Sequence, residues 1–296
     1  MRSGAIPQSA IPGPLDLQAT LESGQTFRWT RRDGSMYDSA EPSGGEHWYR
    51  TLVDGQPVEV RQTDSTLEWR AAADPTAALI ERLALTDDMT AMIEALADEG
   101  VVGNAKAAYE GLRIVNEPFF PTLVSFILSA QMRIERIHSL VQALSRKYGA
   151  AVRTGDLTVH RFPTPEELAA ATETELRDLG LGYRAPYVEA TAEMVADGEL
   201  TASDLTGQPY ETARRRATEF VGVGEKVADC VLLFSLGYTE PVPLDTWIRT
   251  AIDTHYPDVE GSSYDEISRG IRDRLGPDPG VAQTYVFHYL RNEGSP

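Results

Sequence analysis

Residues 211–250 read ETARRRATEF VGVGEKVADC VLLFSLGYTE PVPLDTWIRT, and two runs with helical apolar spacing, 211–220 and 226–236, flank the link 221–224. That link carries Gly222 and Gly224. So tight a reversal needs backbone at positive φ, which glycine adopts without a Cβ clash. The missing side chain also lets an anion approach the free N–H groups that open the second helix, where the macrodipole favours negative charge. The pair of helices is therefore predicted to grip a phosphate backbone without reading bases.

Three residues add chemistry to the grip. Lys226 opens the second helix, Cys230 follows one turn later, and Asp245 ends Pro243-Leu244-Asp245. Beside the positive end of a helix dipole, and against Cys230 and Leu233 on its own face, an ammonium is disfavoured relative to the amine, which is a usable nucleophile. A carboxylate across a pocket stabilises a positive sugar and moves protons, as in cleavage of sugar bonds generally. Taken singly, each residue also has a bland reading: the hairpin as a backbone clamp, Cys230 as a small core residue, and Asp245 before Thr246-Trp247-Ile248 as a helix N-cap.

VGVGEKVADCVLLFSL (221–236) followed by VPLD (242–245) resembles the catalytic segment of the helix-hairpin-helix DNA glycosylases, and Lys226, Cys230 and Asp245 together resemble their 8-oxoguanine branch. The resemblance implies an α+β fold, with an N-terminal antiparallel β-sheet domain followed by a mostly helical helix-hairpin-helix domain and a lesion pocket between them. It implies excision of 8-oxoguanine from damaged double-stranded DNA: Lys226 attacks the sugar, Asp245 stabilises its charge, and the Schiff base permits β-elimination and a nick. Two rivals stay open, an alkylpurine glycosylase of the same fold that uses water, and a protein that only binds DNA.

The resemblance extends along most of the chain. Ser23-Gly24-Gln25-Thr26-Phe27-Arg28-Trp29 is similar to the family segment whose glycine carbonyl meets the oxidised base. 8-Oxoguanine bears a hydrogen on N7 where guanine has only an acceptor, so a fixed carbonyl separates them. By residue type alone Gly24 is equally a turn or bulge. Ser129-Ala130-Gln131-Met132-Arg133 corresponds to the loop inserted where the damaged nucleotide has left; the family commonly has Asn at Gln131, and glutamine adds a methylene. Arg136 matches an arginine contacting the opposite base. Leu179 to Tyr187 resembles the loop whose tyrosine (Tyr183) wedges into the stack and whose arginine (Arg184) reaches the opposite strand. Gln283 and Phe287, one turn apart, match an edge contact and an aromatic plate opposite Cys230. Trp247 stands where some relatives carry a DNA-contacting histidine. The carbonyls of Thr218, Phe220 and Val223 match a monovalent-cation site, though Phe220-Val221 replaces the usual Leu-Pro.

Composition sets bounds. The chain of 296 residues, 42% hydrophobic, can bury a substantial core. It has no run of about 18 apolar residues to span a membrane, and its start lacks a signal-peptide core, so a cytoplasmic location is expected. One cysteine excludes an intramolecular disulfide and an iron–sulfur cluster. A monomer is the default. The net charge of −18 and pI near 4.7 oppose DNA binding in dilute salt. At about 1 M salt the Debye length is roughly 3 Å and global repulsion is screened. The 45 acidic residues against three lysines, Lys106, Lys147 and Lys226, thus point to a halophilic, archaeal source.

Three segments follow: a flexible tail over 1–14 with Pro7, Pro12 and Pro14, a sheet domain with trailing helices over 15–115, and a helical domain over 116–296. HWYRTLV, PVEVRQ and TLEWRA, with Asp54-Gly55 as a hairpin turn, predict the antiparallel meander. PFFPTLVSFILSAQ (118–131), apolar all round, predicts a central buried helix. Ile134, Ile137, Val141, Leu144 and Tyr148 form a helical stripe ended by Gly149, and Thr164–Glu167 and Thr172–Glu175 are capping boxes.

Overall fold

The computed structural model describes residues 1–38 and 41–293; the end of the 116–296 segment, 294–296, lies outside them. The N-terminal part is a five-stranded antiparallel sheet ordered β1-β5-β4-β3-β2, from β1 (Arg2–Pro7), β2 (Thr30–Arg31), β3 (Tyr49–Val53), β4 (Gln56–Gln62) and β5 (Thr66–Ala71). Asp54 and Gly55 take positive φ in the β3–β4 turn. Trp69 and Tyr49 are buried core residues, as alternation predicts.

The tail expected over 1–14 is corrected: β1 pairs with β5 from Arg2↔Ala71 to Pro7↔Thr66. Gly4 lets this strand lie on Trp69, since an added Cβ would meet the indole at 2.3 Å. Beyond it the chain makes a 3-10 turn over Gln8–Ala10 and bends through Gly13 at φ +76°. The buried Arg113 guanidinium takes the carbonyls of Pro12 and Pro14 at 2.6 and 3.2 Å.

Helix α1 (Leu17–Glu22) is N-capped by Asp16, whose carboxylate accepts the Ala19 N–H at 2.9 Å. After β5 come α2 (Thr76–Arg82), α3 (Met89–Ala95) and α4 (Gly100–Ala108). Then α5 (Phe119–Leu128) runs through the centre with most of its residues buried, as its all-round apolarity predicts, and α6 (Ile134–Tyr148) buries Ile137, Leu140, Val141 and Leu144. A small hairpin, β6 (Ala151–Thr154) with β7 (Leu157–His160), turns at Gly155. Both expected capping boxes open helices, α7 (Pro165–Ala169) and α8 (Glu173–Leu176). The rest is helical: α9 (Ala185–Ala196), α10 (Ala202–Leu205), α11 (Tyr210–Ala217), α12 (Glu225–Ser235), α13 (Thr246–His255), α14 (Tyr264–Leu275) and α15 (Pro279–Glu293).

Two cores cross the expected domain boundary. One joins sheet to helices through residues such as Trp29, Val60, Phe126 and Leu232. The other packs α3 and α4 on α13 to α15, with Ile93, Val102 and Leu112 against Ile252, Val281 and Tyr285. The helices trailing the sheet therefore belong in packing terms to the C-terminal helices. A cleft opens between α1, α5, α12 and α15.

Candidate active site

The cleft has a volume of about 890 Å³ and is lined by Lys226, Asp245, Cys230, Gly24, Gln283, Phe287, Gln131, Arg133, Gly224 and Trp247. Ten of the positions singled out in sequence thus share one surface.

Lys226 is the second residue of α12, just after the N-cap Gly224. Its Nζ donates to Ser129 Oγ at 3.1 Å and lies 5.4 Å from the centre of the Phe126 ring. Cys230, one turn on, is 3% exposed. Burial pushes its thiol up to about 12, against the opposing pull of Lys226, so it is a neutral, polarisable wall. Asp245 is the N-cap of α13: Oδ1 accepts the Ile248 N–H at 2.8 Å. Burial raises its carboxyl above the ordinary range, opposed by the Ile248 N–H and by the charge of Lys226. Capping and a place in the cleft coincide, since the residue that caps α13 also lines the cleft.

The far end is built by α1 and α15. Gly24 has φ +91°, and an added Cβ would lie 2.7 Å from Ile134 Cδ1 and 3.5 Å from the Phe287 ring. Only glycine fits both the conformation and the contact. Buried Gln283 sits one turn before Phe287 on α15. Gln25 locks the loop: its amide donates to the Arg113 carbonyl at 2.7 Å and accepts the Val115 N–H at 2.9 Å.

Around the mouth lie the loops expected to meet DNA. Gln131 is exposed at φ +52°, Arg133 is the exposed N-cap residue of α6, and the Arg136 guanidinium lies against Gly180 of the neighbouring loop. Tyr183 is 49% exposed and meets Tyr187 edge-on at 6.4 Å. Arg184 differs from expectation. It is only 6% exposed, its guanidinium stacks 4.3 Å from the Tyr183 ring centre, and it donates to the Ala130 carbonyl. Its Nε is buried with no hydrogen-bond partner, and the Nη2 contact ties the loop of Tyr183 to the loop of Gln131.

In the hairpin, Gly222 has φ +81° and an added Cβ would lie 2.6 Å from Tyr187 Cβ, whereas Gly224 faces open space. The turn closes through the Val223 N–H on the Phe220 carbonyl at 3.1 Å, and Thr191 Oγ1 donates to the Val221 carbonyl at 2.8 Å. Among the described residues, no backbone N–H donates to the carbonyls of Thr218 or Val223. These neutral oxygens, with the second lone pair of Phe220, suit a hard monovalent cation.

Sequence reasoning missed the support behind the site. Ser129 and Phe126 hold Lys226, yet in sequence they read only as loop and core. Asp229, fully buried beside Cys230, accepts hydrogen bonds from the Tyr210 and Tyr264 hydroxyls, each at 2.7 Å. Tyr264 in turn accepts the Leu244 N–H at 3.1 Å, next to Asp245. Burial pushes Asp229 up to about 6, opposed by those hydroxyls and Arg214. A charged residue inside an otherwise apolar helix face was the one available signal.

Residues 9–123 match the family described as 8-oxoguanine DNA glycosylase, N-terminal domain, and residues 124–277 the HhH-GPD superfamily base excision DNA repair protein. A probable N-glycosylase/DNA lyase of Methanothermobacter thermautotrophicus is 29% identical over 95% of each chain. The N-glycosylase/DNA lyase of Saccharomyces cerevisiae is 32% identical over 82% of this chain and 68% of its own. Among solved structures, the Clostridium acetobutylicum 8-oxoguanine glycosylase/lyase with double-stranded DNA carrying cytosine opposite 8-oxoguanine superposes with a TM-score of 0.83. That structure is 27% identical, covering 95% of this chain and 93% of its own. Carried by both halves of the sequence and by the cleft between them, the conclusion is that this chain belongs to the HhH-GPD superfamily of base excision DNA repair proteins, in its 8-oxoguanine DNA glycosylase branch.

Proposed function

We propose that this N-glycosylase/DNA lyase removes 8-oxoguanine with Lys226 as nucleophile and Asp245 as the charge-stabilising carboxylate. The observation that carries the reading is that the amine and the carboxylate share one cleft with a fixed glycine and an aromatic plate. The flipped base stacks between Cys230 and Phe287, Gln283 meets its Watson–Crick edge, and the Gly24 carbonyl accepts its N7–H. Stacking and edge contacts offset an unstacking cost of a few kcal/mol.

Lys226 attacks C1′ through its amine lone pair as the C1′–N9 bond breaks; the electron pair leaves with the base, which gains a proton. Asp245 stabilises the positive sugar in a site shielded from water. Loss of the amine proton opens the ring to an iminium, removal of a C2′ proton expels the 3′ phosphate, and hydrolysis frees the lysine. Gly222 and Gly224 let the backbone phosphate approach α12. The Thr218, Phe220 and Val223 carbonyls would hold a monovalent cation adding charge there. Tyr183 wedges the stack, Gln131, Arg133, Arg136 and Arg184 meet the opposite strand, and Trp247 replaces histidine beside Asp245. No iron–sulfur cluster takes part. The protein acts as a monomer in the cytoplasm; no helix of the described residues is long and apolar enough to cross a membrane.

The test is borohydride trapping on a duplex with one 8-oxoguanine opposite cytosine, in high salt, with wild type beside Lys226→Gln. An adduct with wild type alone is expected, the variant still binding the duplex. Free base with no adduct would replace the lysine with water as nucleophile, and neither product would defeat the reading.

A further inference from the structure

Helix α15 carries a third rung on the face of Gln283 and Phe287. Arg291, one turn beyond Phe287, lines the same cleft. Its Nη2 donates to the backbone carbonyl of Glu22 at 2.7 Å and lies 3.2 Å from His288 Nδ1. His288 is fully buried, and burial with the charge of Arg291 pushes it down to about 3, so the neutral ring accepts that hydrogen bond. The acceptor matters more than the bond. Glu22 ends α1 two residues before Gly24, and its carboxylate is already taken by the Tyr49 hydroxyl at 2.6 Å and the Tyr37 N–H at 2.9 Å. The sheet therefore fixes one side of Glu22, and α15 fixes its carbonyl.

We infer that Arg291 is a positioning residue for selection of the oxidised base: it ties the Gly24 loop to the helix that carries Gln283 and Phe287. The tie sets the distance between the carbonyl that takes the N7 proton and the plate on which the base stacks. This rests on the assignment of Gly24 made above. A carbonyl displaced by part of an ångström loses the N7–H contact while stacking survives, so the tie bears on selectivity rather than on the chemical step.

The step at the sugar uses Lys226 and Asp245 but not the base pocket, so a preformed abasic site separates the two functions. The full-length protein, Arg291→Met and Arg291→Lys are compared in single-turnover excision of 8-oxoguanine opposite cytosine and in borohydride trapping on an abasic duplex. Arg291→Met is expected to slow excision on the order of tenfold, the worth of one charged hydrogen bond, with abasic trapping within about twofold of wild type. Arg291→Lys, keeping a donor and the charge, recovers part of the loss. Arg291→Met matching wild type on both substrates, or slowed equally on both, overturns the assignment of Arg291 alone. A wild type that traps the abasic site yet releases no 8-oxoguanine overturns the substrate reading, and the Arg291 assignment with it.

Discussion

Asp245 combines two roles that look like alternatives in sequence. As N-cap it accepts the Ile248 N–H, and the same residue, half-buried, lines the cleft that Lys226 also lines. Asparagine preserves a cap well, so Asp245→Asn isolates the charge. The rate of 8-oxoguanine release is expected to fall about 10²–10³-fold with the melting temperature little changed. Because burial raises its pKa above the ordinary 3.8 and the proposed mechanism needs the ionised form, activity is expected to be complete above the folded pKa. It falls as pH drops through that value. The acid limb of the pH–rate profile should lie higher than for an exposed aspartate and flatten in the variant. That Lys226 and Asp245 share one cleft was legible because both are tied to a hairpin with its own spacing. Ser129 and Asp229 were not, since nothing local in a sequence records which buried partner a hydroxyl or carboxylate will meet.

At the level of elements, the hairpin separates glycines that sequence treats alike. Gly222 combines a left-handed φ of +81° with contact against Tyr187, while Gly224, at φ −95°, has open space where a Cβ would go. Gly222→Ala should lower stability by at least about 1–2 kcal/mol in urea melts, the cost of a left-handed alanine. Gly224→Ala should melt within about 0.5 kcal/mol of wild type yet bind duplex more weakly, because the proposed function puts the DNA backbone against that open face. The helix before the hairpin ends at Ala217 rather than at Phe220: Arg214, Arg215 and Arg216 in its last turn suit the negative end of the dipole. The β6–β7 hairpin escaped notice because strands of four residues show too little alternation to register. The N-terminal strand was hidden by its terminal Pro7, whose extended backbone suits a strand edge as well as a tail.

For the molecule as a whole, net charge and the buried carboxylate of Glu117 set the working conditions. With a net −18, activity is expected to persist near 1 M salt and to be lost in dilute buffer, where the chain repels phosphate. A salt titration of excision checks this, and a maximum in dilute buffer would sink the halophile reading. Glu117, 2% exposed, accepts from Thr26, Arg28, Trp29 and Arg82, while its N–H donates to the Phe234 carbonyl. It thereby joins the sheet to the helices. Burial would raise its carboxyl, but the charges of Arg28 and Arg82 hold it below the ordinary 4.5. Its contribution to stability is present above that unfolded value and lost as pH falls through the folded one. Glu117→Gln should cost about 3–5 kcal/mol and weaken the acid-dependent loss of stability, read from melts at stepped pH. The order of sheet before helices was plain from periodicity, but the two shared cores were not, because their contacts join distant parts of the chain.

Tyr285 reaches the Leu112 carbonyl across 173 positions, and Arg291 reaches that of Glu22 across 269. During synthesis, therefore, α3 and α4 wait with their apolar faces unmatched until α15 leaves the ribosome, and such waiting surfaces invite aggregation. The cleft is closed only when α15 emerges, so a chain released before then has its hairpin and Lys226 but lacks the wall of Gln283 and Phe287.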